Sequence, residues 1–234
     1  MPKLLELFSG THSVGKVAES LGWEVTSVDL KDATINGDIL EWDYWTIPSG
    51  TFDLIWASPP CATFSNIRSC WIGRKMPNIH GDDIITREIL LKDIDDIGLP
   101  LLNKALSIID YFKPKNYVIE NPQTGKMKDY IPEKPVTIDY CRYCDWGYMK
   151  PTNLWTDIEG FVPKRCNKEC HGFKNGKHPT NLACPSTTDK GEILNTKEKR
   201  KAYKGKQTQT TTSLKERYRV PPNLIRELFS KIKI

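Results

Sequence analysis

Short apolar runs and amphipathic stretches alternate along the first half of the chain. Lys3–Phe8 (KLLELF) has the length and character of a buried strand. Val14–Leu21 places Val14, Val17, Ala18 and Leu21 at the spacing of one helical face, and Glu24–Asp29 reads as a second strand closing on an acid. This order predicts a βαβ unit with parallel strands. Asp53–Ala57 (DLIWA) is a further strand running into a Pro-Pro turn, Leu99–Tyr111 an amphipathic helix, and Asn116–Glu120 (NYVIE) another strand ending on a charge. Residues 66–98 hold Gly, several charges and little strand pattern, and are expected to form a long mobile loop leading into the helix. Near the end, Pro221 and Pro222 precede LIRELFSKI, where Leu224, Ile225, Leu228, Phe229 and Ile232 share one face; that helix is expected to pack back onto the sheet. The predicted fold class is α/β, built on an open parallel sheet. Ligands of such sheets bind beyond the carboxyl ends of the strands, so Phe8–Gly15, Asp29, Asp38, Ser58–Ser65 and Glu120–Pro122 are expected to line one crevice.

Composition narrows this picture. A chain of 234 residues with 38% hydrophobic side chains suits one globular domain with a small second lobe, and excludes collagen-like, coiled-coil and wholly disordered classes. No apolar run reaches membrane-spanning length, and MPKLLELFSG lacks the apolar stretch and cleavage site of a signal peptide. The expectation is therefore an intracellular monomer with no membrane partner, cytoplasmic or nucleoid-associated. The net charge of +5 conceals a division. From Lys164 to the end, 18 Lys and Arg face 6 Asp and Glu, a net of +12, which leaves −7 for residues 1–163. The C-terminal third is where a polyanion would bind. Within it, Lys197–Lys206 and Thr208–Thr212 read as mobile linker. Seven Cys, an odd number, argue against a disulfide framework.

Three constellations carry chemistry. In LELFSGTHSVGKVA, Gly10 and Gly15 allow a ligand to approach the backbone at the start of a helix. The pattern is not G-x-G-x-x-G, so nicotinamide dinucleotides are disfavoured. Asp29, 19 residues beyond Gly10, stands where an acid accepts from ribose hydroxyls, and Asp38 could accept from an adenine amino group; together they point to an adenosine cofactor. In Ser58-Pro59-Pro60-Cys61-Ala62-Thr63-Phe64-Ser65 the prolines end a strand and project a thiol at the sheet's edge, the placement of a nucleophile. Glu120-Asn121-Pro122 supplies a carboxylic acid on the same edge, suited to proton donation if buried. Further on, Cys141-x2-Cys144 and Cys166-x3-Cys170 are two chelating pairs with the spacing of one tetrahedral structural Zn²⁺. His171, His178 and Cys184 are alternative ligands.

These motifs, in this order, resemble the DNA (cytosine-5) methyltransferases. LELFSGTHSVG is similar to their cofactor turn, SPPCATFS to their Pro-Cys motif and VIENP to their Glu-Asn motif, covering residues 3–122; KPTNLWTD and VPPNLIREL match more loosely, and KPTNLWT is similar to viral and phage members. The resemblance implies a Rossmann-like S-adenosylmethionine-dependent methyltransferase fold with a small, candidate zinc-stabilised second lobe. It implies catalytic roles for Cys61, Glu120, Asn121 and Lys150, and a cofactor pocket of Phe8, Gly10, His12, Gly15, Asp29, Asp38 and Pro60. Ser65, Asn66 and Arg68 would open the loop that closes over an extruded base. Ala62 stands where the family usually has Gln, and its Gln-x-Arg-x-Arg motif is matched only by Tyr148–Asn153, where Lys150 is the candidate cation. The expected domains are a catalytic unit of residues 1–135 and 215–234 and a basic target-recognition lobe of 136–214. The expected activity is methylation of cytosine C5 in double-stranded DNA through a covalent Cys61 adduct. A tRNA cytosine-5 methyltransferase and a catalytically silent DNA-binding relative are the alternatives; an amino-methyltransferase is disfavoured because Cys61 replaces the aromatic residue of its motif.

Overall fold

A computed structural model describes residues 1–173, 176–181, 186–188, 193–194, 207–211 and 214–233. The chain runs β1 (Lys3–Leu7), α1 (Ser13–Ser20), β2 (Glu24–Asp29), β3 (Ile35–Asn36) and β4 (Leu54–Ala57). It continues through a one-turn α2 (Pro77–His80), α3 (Arg87–Asp93), α4 (Leu99–Phe112), β5 (Asn116–Pro122), β6 (Val136–Asp139) and β7 (Pro151–Thr156). Four short strands follow, β8 (Thr180–Asn181), β9 (Ser186–Thr188), β10 (Ile193–Leu194) and β11 (Gln207–Thr211), then α5 (Leu214–Tyr218) and α6 (Pro222–Phe229).

Seven strands form the main sheet in the order β3-β2-β1-β4-β5-β7-β6. The pairs from β3 to β5 are parallel, and β7 is antiparallel to both β5 and β6. The order reverses between β1 and β4, which opens a crevice at the carboxyl ends of those two strands. Side-chain alternation divides the core between the two faces. Leu4, Leu54, Trp56 and Val118 pack with Val14, Val17 and Ala18 of α1 and with Leu224, Ile225, Leu228 and Phe229 of α6. Leu5, Leu7, Ile55, Ala57 and Ile119 pack with Leu102, Ala105, Ile108 and Phe112 of α4. The C-terminal helix thus folds back onto the sheet as its apolar face predicted. Leu21 is the one expected member of the α1 face left exposed, because the helix has ended and it serves as the C-cap.

Three expectations need correction. Residues 136–156 were expected to open the second lobe, yet β6 and β7 pair into the main sheet, so the boundary placed at 135/136 falls inside it. Residues 66–98 are not a bare loop: they form a 3₁₀ segment (Asn66–Trp71), α2, α3 and a π-helical turn (Ile94–Gly98). Thr86 caps α3 by accepting from the Ile89 N–H, a signal present in the sequence. Arg68 is buried and pairs with Asp93, which pins the 3₁₀ segment to α3. The threonine-rich stretch, read as linker, overlaps β11, which pairs with β9 and β8 in a separate four-stranded sheet; alternating β-branched residues favour that conformation. Residues 197–206, the other expected linker, lie outside the described residues.

Candidate active site

The carboxyl ends of β1 and β2 meet at a turn whose backbone lies in the left-handed region at Phe8 (φ 59°), Gly10 (φ 50°) and His12 (φ 54°). Both oxygens of Asp29 are engaged there: Gly10 N–H donates to Oδ2 at 2.7 Å and Leu30 N–H to Oδ1 at 2.7 Å. Each carboxylate oxygen keeps a further lone pair, so Asp29 can still accept from a ribose hydroxyl, and the donor set fits an adenosine cofactor. Asp38 is exposed and its Oδ1 accepts from Leu40 N–H at 2.9 Å. Gly37 N–H donates to the Asp29 carbonyl at 2.9 Å, which keeps the two acids on neighbouring segments. His12 Nε2 meets the Asp32 carbonyl, joining the turn to the β2–β3 connection. Phe8 is half-buried and Pro60 exposed on the same edge.

A carboxylate unmarked in the sequence reading underlies this turn. Glu6 on β1 is 3% exposed, and its oxygens accept from the N–H groups of Val14 (3.3 Å) and Gly15 (3.1 Å) at the start of α1. Burial pushes its carboxyl up to about 7, against those two backbone hydrogen bonds. Gly15 has a packing reason: a Cβ there would stand 2.7 Å from Glu6 Oε2. The signal for Glu6 was a lone acid within an otherwise apolar strand.

Across the switch point, Ser58 N–H donates to the Leu7 carbonyl at 3.2 Å and the chain turns through Pro59 and Pro60 to Cys61. Asn121 Nδ2 donates to the Pro59 carbonyl at 2.9 Å, so the Glu-Asn strand end is tied to the Pro-Cys turn. Gly98 allows the start of α4 to press on the same loop, since a Cβ there would fall 2.5 Å from Thr63 Oγ1 and 2.9 Å from Phe64 Cζ. Glu120 is 7% exposed; Tyr140 Oη donates to its Oε1 at 2.8 Å, and Lys150 Nζ stands 3.7 Å from the same oxygen. Lys150 also donates to the Arg217 carbonyl at 2.9 Å and lies over the Tyr140 ring at 4.4 Å. Burial pushes the Cys61 thiol up; the Glu120 charge adds to this and the Lys150 charge opposes it. Cys61, Glu120 and Lys150 thus act on one another electrostatically, as a nucleophile, an acid and a cation around one reacting centre would.

The chain is 44% identical over 231 residues to a probable DNA (cytosine-5)-methyltransferase of Frog virus 3 (isolate Goorha), covering 97% of this chain and 98% of that one. This chain belongs to the DNA (cytosine-5)-methyltransferase family. The relative's viral source agrees with the viral or phage branch expected from KPTNLWTD. No protein-family model matches the chain. Two solved structures are similar at lower identity. One, from E. coli, is described as a DNA modification methyltransferase encoded within a prophage, with 13% identity, a TM-score of 0.43 and coverage of 81% of this chain and 58% of that one. The other is an Entamoeba histolytica methyltransferase, with 14% identity, a TM-score of 0.41 and coverage of 70% and 56%. This chain therefore spans a little over half the length of those two.

Within this methyltransferase, the residues expected to bind metal do not all meet. Cys141, Cys166, Cys170 and His178 present ligand atoms that lie within 4.8 Å of one another. Cys144 is not in that group: its Sγ donates to the Tyr140 carbonyl at 3.1 Å, and burial holds its thiol up at about 11. His178, one of the alternatives, takes the fourth place. His171 is exposed, and Cys184 lies outside the described residues. Tyr140 also escaped the sequence reading; nothing in the pattern marks a tyrosine beside Cys141 as a neighbour of Glu120. Among the described residues, no helix of this methyltransferase is long and apolar enough to cross a membrane.

Proposed function

We propose that this methyltransferase transfers a methyl group from S-adenosylmethionine to C5 of a cytosine in double-stranded DNA, through a covalent adduct of Cys61 with a flipped base. Phe8, Gly10 and Asp29 would hold the cofactor, which would supply an electrophilic methyl group there. Cys61 Sγ bonds to C6 of the ring as the thiol proton passes to the Glu120 carboxylate. Glu120 hydrogen-bonds N3 and the exocyclic amine and delivers a proton to N3, which makes C5 nucleophilic. After C5 takes the methyl group, its proton leaves to a base, the Sγ–C6 bond breaks, and the N3 proton returns through Glu120 to the departing thiolate, which regenerates Cys61. Asn121 holds the Pro-Cys turn against the strand that carries Glu120, and Lys150 supplies the positive charge that favours the thiolate. The Glu120 charge disfavours that thiolate until a base engages the carboxyl, so binding of the base and activation of Cys61 are coupled. The basic C-terminal third, from Lys164 onward, is assigned to the DNA phosphates.

The observation that carries this reading is the Asn121–Pro59 hydrogen bond, which brings the Glu-Asn and Pro-Cys motifs to one place beside Lys150. The test incubates the protein with methyl-labelled S-adenosylmethionine and duplex DNA or tRNA in parallel, then digests to nucleosides. Label in 5-methylcytosine from duplex DNA is expected. Label confined to tRNA would move the substrate to RNA, and salt-dependent DNA binding without label would leave a silent binding relative. A duplex carrying 5-fluorocytosine should trap the protein covalently, and an adduct that persists in Cys61→Ala would refute the role of that thiol.

A further inference from the structure

Away from the crevice, the turn after β6 meets the following segment at a cluster of three thiols and an imidazole that the proposed reaction does not use. We propose that Cys141, Cys166, Cys170 and His178 hold one structural Zn²⁺ that fastens this segment to edge strand β6.

All four ligand atoms lie within 4.8 Å of one another, with His178 Nε2 at 3.2 Å from Cys170 Sγ and 3.8 Å from Cys166 Sγ. A tetrahedral zinc with bonds of about 2.3 Å to sulfur and about 2.1 Å to nitrogen sets its donors roughly 3.5–3.8 Å apart, so small adjustments would close the site. Three thiols and one imidazole form a soft donor set without a carboxylate, which selects zinc over magnesium or calcium. Cys141 and Cys170 are each 6% exposed, as a closed structural site requires.

The backbone is arranged around these ligands. Lys168 is left-handed (φ 68°) between Cys166 and Cys170, and the turn brings both thiols into the cluster. Asp139, buried at the end of β6, accepts from Cys166 N–H at 2.7 Å and from Arg165 Nε at 2.8 Å, which orients the second pair of ligands toward Cys141. Phe173 packs edge-on against the His178 ring at 5.4 Å and limits its rotation. Cys141 follows Tyr140, whose hydroxyl contacts Glu120, so the ion would steady a segment that reaches the catalytic carboxylate.

The test is the metal content of the full chain expressed with zinc available and purified without added metal or chelator. About one equivalent of zinc per chain is expected, and chelation should lower the melting temperature. Replacement by Co²⁺ should give intense tetrahedral d–d bands and thiolate-to-cobalt charge transfer. Cys144→Ser should retain full zinc, and His178→Cys, which preserves four soft ligands, should retain most of it. Cys141→Ser and Cys166→Ser should lose it. Metal-free protein with an unchanged melting curve that cannot be loaded with Zn²⁺ or Co²⁺ would overturn the proposal. So would loss of zinc in Cys144→Ser together with retention in Cys141→Ser, a pair of results that does not depend on every variant folding.

Discussion

Raising the pH from 4.5 to 8 should weaken this fold through one side chain, Glu6. Its carboxyl is 3% exposed beneath the Phe8–His12 turn, and burial, only partly offset by the N–H groups of Gly15 and Val14, pushes it from an ordinary value of 4.5 to about 7. Below pH 4.5 both folded and unfolded chains hold this proton, and the contribution to stability is fully present. Between 4.5 and 7 the unfolded chain loses the proton while the folded chain keeps it, so stability falls as pH rises. The difference of about 2.5 pH units, at about 1.4 kcal/mol each, amounts to about 3 kcal/mol. Urea unfolding of the native chain and of Glu6→Gln, in steps across this range, isolates the effect, because other titrating groups cancel in the difference. Gln also cannot accept from both N–H groups, which offsets the variant's whole curve without adding a slope. The stability of the native chain relative to Glu6→Gln should decline by about 3 kcal/mol and level off above neutrality. A difference that stays flat across the range, or rises, would refute the raised pKa and with it the buried, largely neutral Glu6.

The active site yields predictions of opposite sign. Glu120→Gln should speed alkylation of Cys61 at fixed pH by removing the negative charge that raises the thiol, and Lys150→Met should slow it; iodoacetamide kinetics with peptide mapping reads both. Tyr140→Phe removes a donor to the buried Glu120 carboxylate worth about 1.5–3 kcal/mol, so the melting temperature should fall by roughly 3–10 °C, and turnover in the labelled-methyl assay should fall as well because the carboxyl loses the group that orients it. Leu224→Ala, at a fully buried position where α6 meets the sheet, should cost about 2–5 kcal/mol in urea unfolding without altering the residual folded protein's covalent trapping by 5-fluorocytosine.

What could be read in the sequence followed from local rules. Strands β1, β2, β4 and β5 announced themselves because each is a short run rich in apolar or β-branched residues, and α6 because a Pro pair precedes an apolar stripe. The converging residues followed from topology alone: parallel strands place their carboxyl ends on one edge. What escaped depended on contacts between distant segments. Tyr140 reaches Glu120 only because β7 and β6 reverse direction beside β5, and that reversal has no short-range signature. Arg and Asp are common on surfaces, so nothing about Arg68 and Asp93 foretold a buried pair that orders the segment between them. The choice of His178 over Cys144 likewise depends on how the lobe turns back on β6; pair spacing leaves it undetermined.

Lys150 shows how a compact chain completes such a site. Its backbone is held at φ 39°, a left-handed conformation that costs a non-glycine residue about 1 kcal/mol or more, and it is 9% exposed. A buried ammonium group needs compensating partners, and here they come from three separate segments. Glu120 contributes from β5, the ring of Tyr140 from the turn after β6, and the Arg217 carbonyl from the end of α5. The Arg217 contact is the informative one. It comes from the strongly basic third of the chain, yet it supplies a neutral acceptor to the Lys150 ammonium group. The acidic and basic parts of the sequence therefore do not divide cleanly into one part for catalysis and another for phosphate binding. A short chain with no arginine at position 150 can hold its lysine in place by drawing the C-terminal segment in to close the site.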